Sequence, residues 1–270
     1  PFNSKLVIGN ASPDSVNEWL ISLLDEHSLD EGISDGINDG VYNKGKADQF
    51  YFINFNQLVG GAGNDTFTFS GDGHLTGSID GGSGANTINA TGSNRSHTFS
   101  FSDTPGQGIF IQNINNVNAN SAQGNTLLGA NHRNQWRITG VGGGTLNEQI
   151  QFQGFDSLVG GSGYDQFVLS GLGRVCHIEG GGSSVGSNDT VQLEGLDRAL
   201  SIGLRTSGAD IQLENIDYVN ATPSGGHILV GAEQNNTWFI DTENGGTLNN
   251  QLSFSGFTLL RGNRADDTFI

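Results

Sequence analysis

The chain has 270 residues, with 11 Lys and Arg against 28 Asp and Glu, a formal charge of -17. That charge excludes a nucleic-acid backbone as partner, and with no run of 18 apolar residues the expectation is no membrane insertion. Forty-three glycines and a single cysteine exclude a mainly helical protein and an internal disulfide, while 16 Phe among evenly spread Leu, Ile and Val argue against disorder. A proline start with no leader-like segment gives the expectation of a piece of a longer polypeptide.

In chain order, KLVIGN (5–10) reads as the opening strand of a coil that residues 12–45 interrupt. Ser12 suits a helix cap, Pro13 its first turn and Asp14 its positive end, and Val16, Trp19, Leu20, Leu23 and Leu24 recur at helical spacing. This predicts an amphipathic helix over 13–26, lying outside the coil, then an acidic glycine-rich loop with Asp35 and Asp39. From ADQFYF (47–52) onward the chain is a run of short alternating segments such as FTF, TINA, IFIQ, RITG, IQFQ, FVLS, VQLE and WFI, each placing alternate side chains on one face. Between them a corner recurs: an aliphatic residue, small residues, Asn or Asp, Thr or Gln, then a large apolar residue. Examples are LVGGAGNDTF (58–67), IDGGSGANTI (79–88), LLGANHRNQW (127–136), LVGGSGYDQF (158–167) and VGAEQNNTW (230–238).

The corners belong to longer repeats. Residues 134–168 align without a gap on 236–270 at an offset of 102, matching Trp136 with Trp238 and Asp165 with Asp267; NINNVNA (113–119) matches NIDYVNA (215–221) at the same offset. Residues 47–67 match 147–167 at an offset of 100. The repeats run approximately over 47–146, 147–248 and, in part, 249–270. Stacked identical corners predict one all-β domain over 1–270, a right-handed parallel β-helix of about 11 or 12 rungs with 12–45 as a helical, acidic insertion. Leu58, Phe67, Ile79, Ile88, Phe155, Leu158, Phe167, Ile178 and Val191 should point inward, as should Trp136 and Trp238, each pair of equivalent residues on one side of the coil. Asn86, Asn125, Asn134, Asp189, Asn236 and Asp267 are the structural corner residues, bonding to backbone and to neighbours one rung away, with glycine taking the left-handed conformations. Cys176 reads as a small core residue. No catalytic set emerges: the basic residues are scattered, no carboxylate pair is placed for acid–base work, and the histidines lack metal-ligand spacing.

LVGGAGNDTF, IDGGSGANTI, NTWFIDTENGGTLNNQLSFSGF and NIDYVNA together resemble the repeats of very large bacterial secreted exoproteins of the filamentous-haemagglutinin or adhesin type, over residues 46–270. The resemblance implies a secreted or cell-surface β-helical stalk, non-catalytic, serving adhesion to host-cell or environmental glycans or surface proteins, or spacing. The alternative on this fold is a polysaccharide lyase, hydrolase or epimerase. GGxGxD at Gly60, Gly61, Gly63 and Asp65, and at Gly160, Gly161, Gly163 and Asp165, is also similar to the calcium-binding nonapeptide of RTX proteins, which implies Ca2+ with Asp65, Asp80 and Asp165 as metal candidates. Here the motifs stand alone and Asn86 replaces the next aspartate, so the same residues read first as structural Asx corners and only second as calcium ligands.

Overall fold

The computed structural model describes residues 4–7, 16–22, 39–44, 46–182, 187–206 and 208–270. They form an all-β solenoid of the parallel β-helix type in two compact units, Pro1–Leu128 with Gln149–Phe155, and Gly129–Glu148 with Asp156–Ile270.

Each unit has two walls of short parallel strands. In the first unit, one wall runs in space through Lys5–Val7, Gln57–Val59, Ser78–Asp80, Ile109–Gln112, Thr98–Ser100 and Thr126–Leu128, all parallel. The other runs through Val16–Ile21, Asn64–Gly71, Thr87–Ser93, Asn116–Ala119 and Ile150–Gln153. In the second unit the walls are Ser157–Val159, His177–Glu179, Ile211–Glu214, Ser201–Leu204, Ile228–Val230 and Leu259–Arg261, and Asn134–Gly140, Asp165–Gly171, Thr190–Leu196, Tyr218–Ala221 and Leu252–Ser255. Both units double back once. Ile109–Gln112 lies before Thr98–Ser100 in space, and Ile211–Glu214 before Ser201–Leu204.

Alternation makes these segments strands, and in-register stacking makes the core. Phe67, Ile88, Val117 and Phe152 pair rung to rung in the first unit, and Phe167, Val191, Val219 and Phe254 in the second. All eleven residues expected to point inward, Trp136 and Trp238 included, are buried to 0–1 % exposure. Removing a Phe or Leu side chain of this kind from water stabilises by about 1.5–3 kcal/mol.

The expected helix over 13–26 is corrected where the structure describes it. Val16–Ile21 is a strand, parallel to Asn64–Phe69, with Asn17, Trp19 and Ile21 buried. The helical spacing of Val16, Trp19 and Leu20 loses to a period of two, because the neighbouring strand offers a hydrogen-bonded edge and Phe67 a seat for Trp19. Residues 16–21 therefore belong to the coil and Ser22 is a bend; residues 13–15 and 23–26 of the expected helix, and Asp35, lie outside the described residues. Pro223–Gly225, a 3-10 turn, is the one helical element among the described residues. Cys176 is also corrected: it is exposed, because Val175 and Ile178 take the inward places on either side of the outward pair Cys176 and His177.

Candidate functional site

The corner geometry explains the glycines. Five residues before the corner Asx stands a glycine on which a Cβ would lie only 2.2–2.9 Å from the Asx side chain: Gly60 with Asp65, Gly81 with Asn86, Gly129 with Asn134, Gly160 with Asp165, Gly231 with Asn236 and Gly262 with Asp267. Gly180 stands in the same relation to Asp189, further along the chain, at 2.5 Å. The glycine empties the seat that the polar side chain occupies.

Seated there, the Asx oxygen accepts the backbone N–H of the corner residue one rung earlier. The bonds are Asp65 N–H to Asn86 Oδ1 (2.9 Å), Asn86 to Asn115 (2.8 Å) and His97 to Asn125 (2.8 Å) in the first unit. In the second they are Asn134 to Asp165 (2.8 Å), Asp165 to Asp189 (2.8 Å), Asp189 to Asp217 (2.9 Å) and Asn236 to Asp267 (3.0 Å). All six expected corner residues are in these ladders. Asparagine fits best, since its amide also donates: Asn86 Nδ2 reaches Asn113 O at 2.9 Å and Asn134 Nδ2 reaches Gly160 O at 2.9 Å. An aspartate has no such donor, and burial raises the pKa of Asp165 to about 6 against the lowering effect of its bonds from Asn134. Burial raises Asp65 and Asp189 as well.

A second element recurs three times. Trp19 stacks on Phe67 with ring centroids 5.4 Å apart, Trp136 on Phe167 at 5.6 Å and Trp238 on Phe269 at 5.5 Å. Each tryptophan opens an antiparallel hairpin locked by an asparagine in the left-handed region, namely Asn43 (φ 46°), Asn147 (φ 52°) and Asn249 (φ 53°). The Oδ1 atoms of these asparagines accept the N–H groups of Glu18, Gln135 and Thr237 at 2.9, 2.8 and 2.8 Å, and their own N–H groups return to the same three residues' carbonyls. Trp136 and Trp238 share one side of the coil, as expected from the 102-residue offset, and so do Asp165 and Asp267. Trp19 as a third copy was missed; the signal was Asn-x-Trp-x-Ile at 17–21, shared with 134–138 and 236–240.

The three calcium candidates have three different surroundings. Asp65 is buried inside the wall, where the Asn17 amide and Trp19 indole lower its pKa against the burial that raises it, although no bond of full geometry closes on its oxygens. Asp80 faces out from the opposite wall, its carboxylate taken by Gln112 Nε2 (2.8 Å), Asn113 Nδ2 (2.8 Å) and Gly82 N–H (2.9 Å). Asp165 belongs to the other unit, bonded by Asn134. No group of three or more His, Cys, Asp or Glu that could hold a metal stands among the described residues. Asp39 is buried and accepts the N–H of Asn54 at 2.9 Å.

Outside the second unit runs one polar row. Ser157 Oγ lies 3.1 Å from His177 Nδ1, His177 Nε2 lies 3.7 Å from Glu214, and Arg205 pairs with Glu214. These residues come from successive rungs, an arrangement hidden in a sequence where they are up to 57 positions apart. Cys176 beside the row has its thiol 3.8 Å from Asp156, and partial desolvation of the sulfur on this otherwise exposed residue, together with the Asp156 carboxylate, pushes its pKa up, away from a reactive thiolate. No family model, curated protein or solved structure matches the chain.

Proposed function

We propose that this chain is a non-catalytic β-helical segment of a bacterial surface or secreted exoprotein, of the filamentous-haemagglutinin or adhesin type. It serves adhesion to glycans or surface proteins, or holds a binding domain away from the cell. The observation that carries this reading is the threefold Trp-over-Phe hairpin with its asparagine lock, joined by ladders whose polar side chains are committed to neighbouring rungs. Such a unit specifies stacking and length. A second reading, action on polysaccharide, draws on the Ser157–His177–Glu214 row, in which a hydroxyl, an imidazole and a carboxylate are in sequence.

One experiment separates them. The purified chain is screened on a glycan array, and the same glycans are assayed for released or unsaturated oligosaccharides and for deacylation, with a serine-reactive fluorophosphonate as probe. Retention without turnover supports the adhesion reading. Product formation lost in Ser157→Ala overturns it.

A further inference from the structure

One ladder position departs from the rest in chemistry. At the 102-residue offset Asn125 is matched by His227. Asn125 Oδ1 accepts the N–H of His97 at 2.8 Å, and His227 Nδ1 accepts the N–H of Leu200 at 3.1 Å. The flanking backbone bonds correspond too: Thr126 N–H to His97 O and Ile228 N–H to Leu200 O, each 2.9 Å. The imidazole therefore occupies an Asx seat. Room for it comes from Gly225, where a Cβ would lie 2.3 Å from Nε2.

A backbone N–H can only donate, so the bond fixes the tautomer: Nδ1 carries the lone pair and Nε2 the hydrogen. An asparagine oxygen keeps its lone pairs at every pH of interest. A histidine gives up the Nδ1 lone pair when it takes a proton, and His227 is buried to 2 % exposure, so the Leu200 N–H would then be left without an acceptor inside the wall. We infer that His227 is a proton-sensitive clamp between the Ser201–Leu204 and Ile228–Val230 rungs, closed at neutral pH and released by acid.

The charged groups around it do not offset this. The segment leading into Ser201–Leu204 carries Asp197 and Arg198, the latter held by Asp210 at 2.9 Å, and the next strand carries Arg261. None of them moves the ring; burial alone lowers its pKa from 6.5. Because the folded value is depressed, the clamp's contribution is complete above pH 6.5. It is lost as pH falls below that value, where the unfolded chain binds a proton that the folded chain refuses.

The test compares wild type with His227→Asn, which restores the ladder's usual acceptor. Amide exchange of the peptide containing Leu200–Leu204 is measured for both proteins at matched pH, which cancels the intrinsic pH dependence of exchange. The expected result is equal protection at pH 7.5 and about tenfold lower protection in wild type at pH 5. A wild-type-to-variant ratio unchanged between these pH values overturns the inference. If His227→Asn fails to fold, the nitrogen resonances of His227 in the wild-type protein decide. An unprotonated Nδ1 at neutral pH, titrating below 6.5, supports the clamp; titration at or above 6.5 overturns it.

Discussion

The Trp19 hairpin of the first unit and the Trp136 and Trp238 hairpins of the second share strand, stack and asparagine lock, yet their connections differ greatly. Residues 141–142 and 243–244 close the second unit's hairpins, whereas residues 22–39 separate Ile21 from Gly40 in the first. The base of the hairpin still aligns, Trp19 opposite Tyr42 as Trp136 is opposite Leu146. Register is thus set at the base, by the aromatic stack and the two bonds to asparagine, in hairpins whose connections differ in length.

This comparison can be broken most forcefully at the tryptophans. Trp136→Ala and Trp19→Ala should each destabilise by about 3–5 kcal/mol, read as a shift in urea midpoint. A much smaller loss for Trp19 would show that the two hairpins are held differently. Replacing the locks comes next: Asn147→Ala and Asn43→Ala should each cost about 1–3 kcal/mol, through a strained left-handed alanine and an orphaned N–H. Equal costs would support a common lock, and a negligible cost at Asn43 would refute it.

The corners separate the units in a second way, carboxyls at Asp165, Asp189 and Asp217 against amides at Asn86 and Asn115. Asp165→Asn should stabilise at pH 7.5 by about 1–3 kcal/mol, because the folded pKa of about 6 lies above the ordinary value of 3.8. The sign follows directly. Wild type carries the cost of a buried charge above pH 6 and sheds it as pH falls from 6 towards 4, so the gain from the substitution should vanish near pH 4 in thermal melts. A gain independent of pH would disprove the account.

Much of this was legible in the sequence because stacking repeats a chemical demand. Leu58, Phe67 and Val191 announce the interior by alternation, and the Asx after a glycine announces the corner. Trp19 was not legible as a third copy, since it lies 117 residues before Trp136 where the next spacing is 102, and because Val16, Trp19 and Leu20 mimic a helix face. His227 escaped because an imidazole does not look like an amide, although both present an acceptor on a short stem. The doubling back at Ile109–Gln112 and Ile211–Glu214 could not be read either. Alternation marks a strand without saying which neighbour it chooses.

The ladders also have a direction. In each bond described, the N–H belongs to the earlier rung and the accepting side chain to the later one, from Asp65 with Asn86 to Asn236 with Asp267. A chain made from its N-terminus therefore leaves each finished corner unlatched until the following turn has emerged. Maturation trails synthesis by one coil, and the newest turn always keeps an open amide. Successive truncation from the C-terminus should accordingly expose the corner amide of the last remaining rung each time, measurable as fast exchange at Asn236, then at Leu200, then at Asp189.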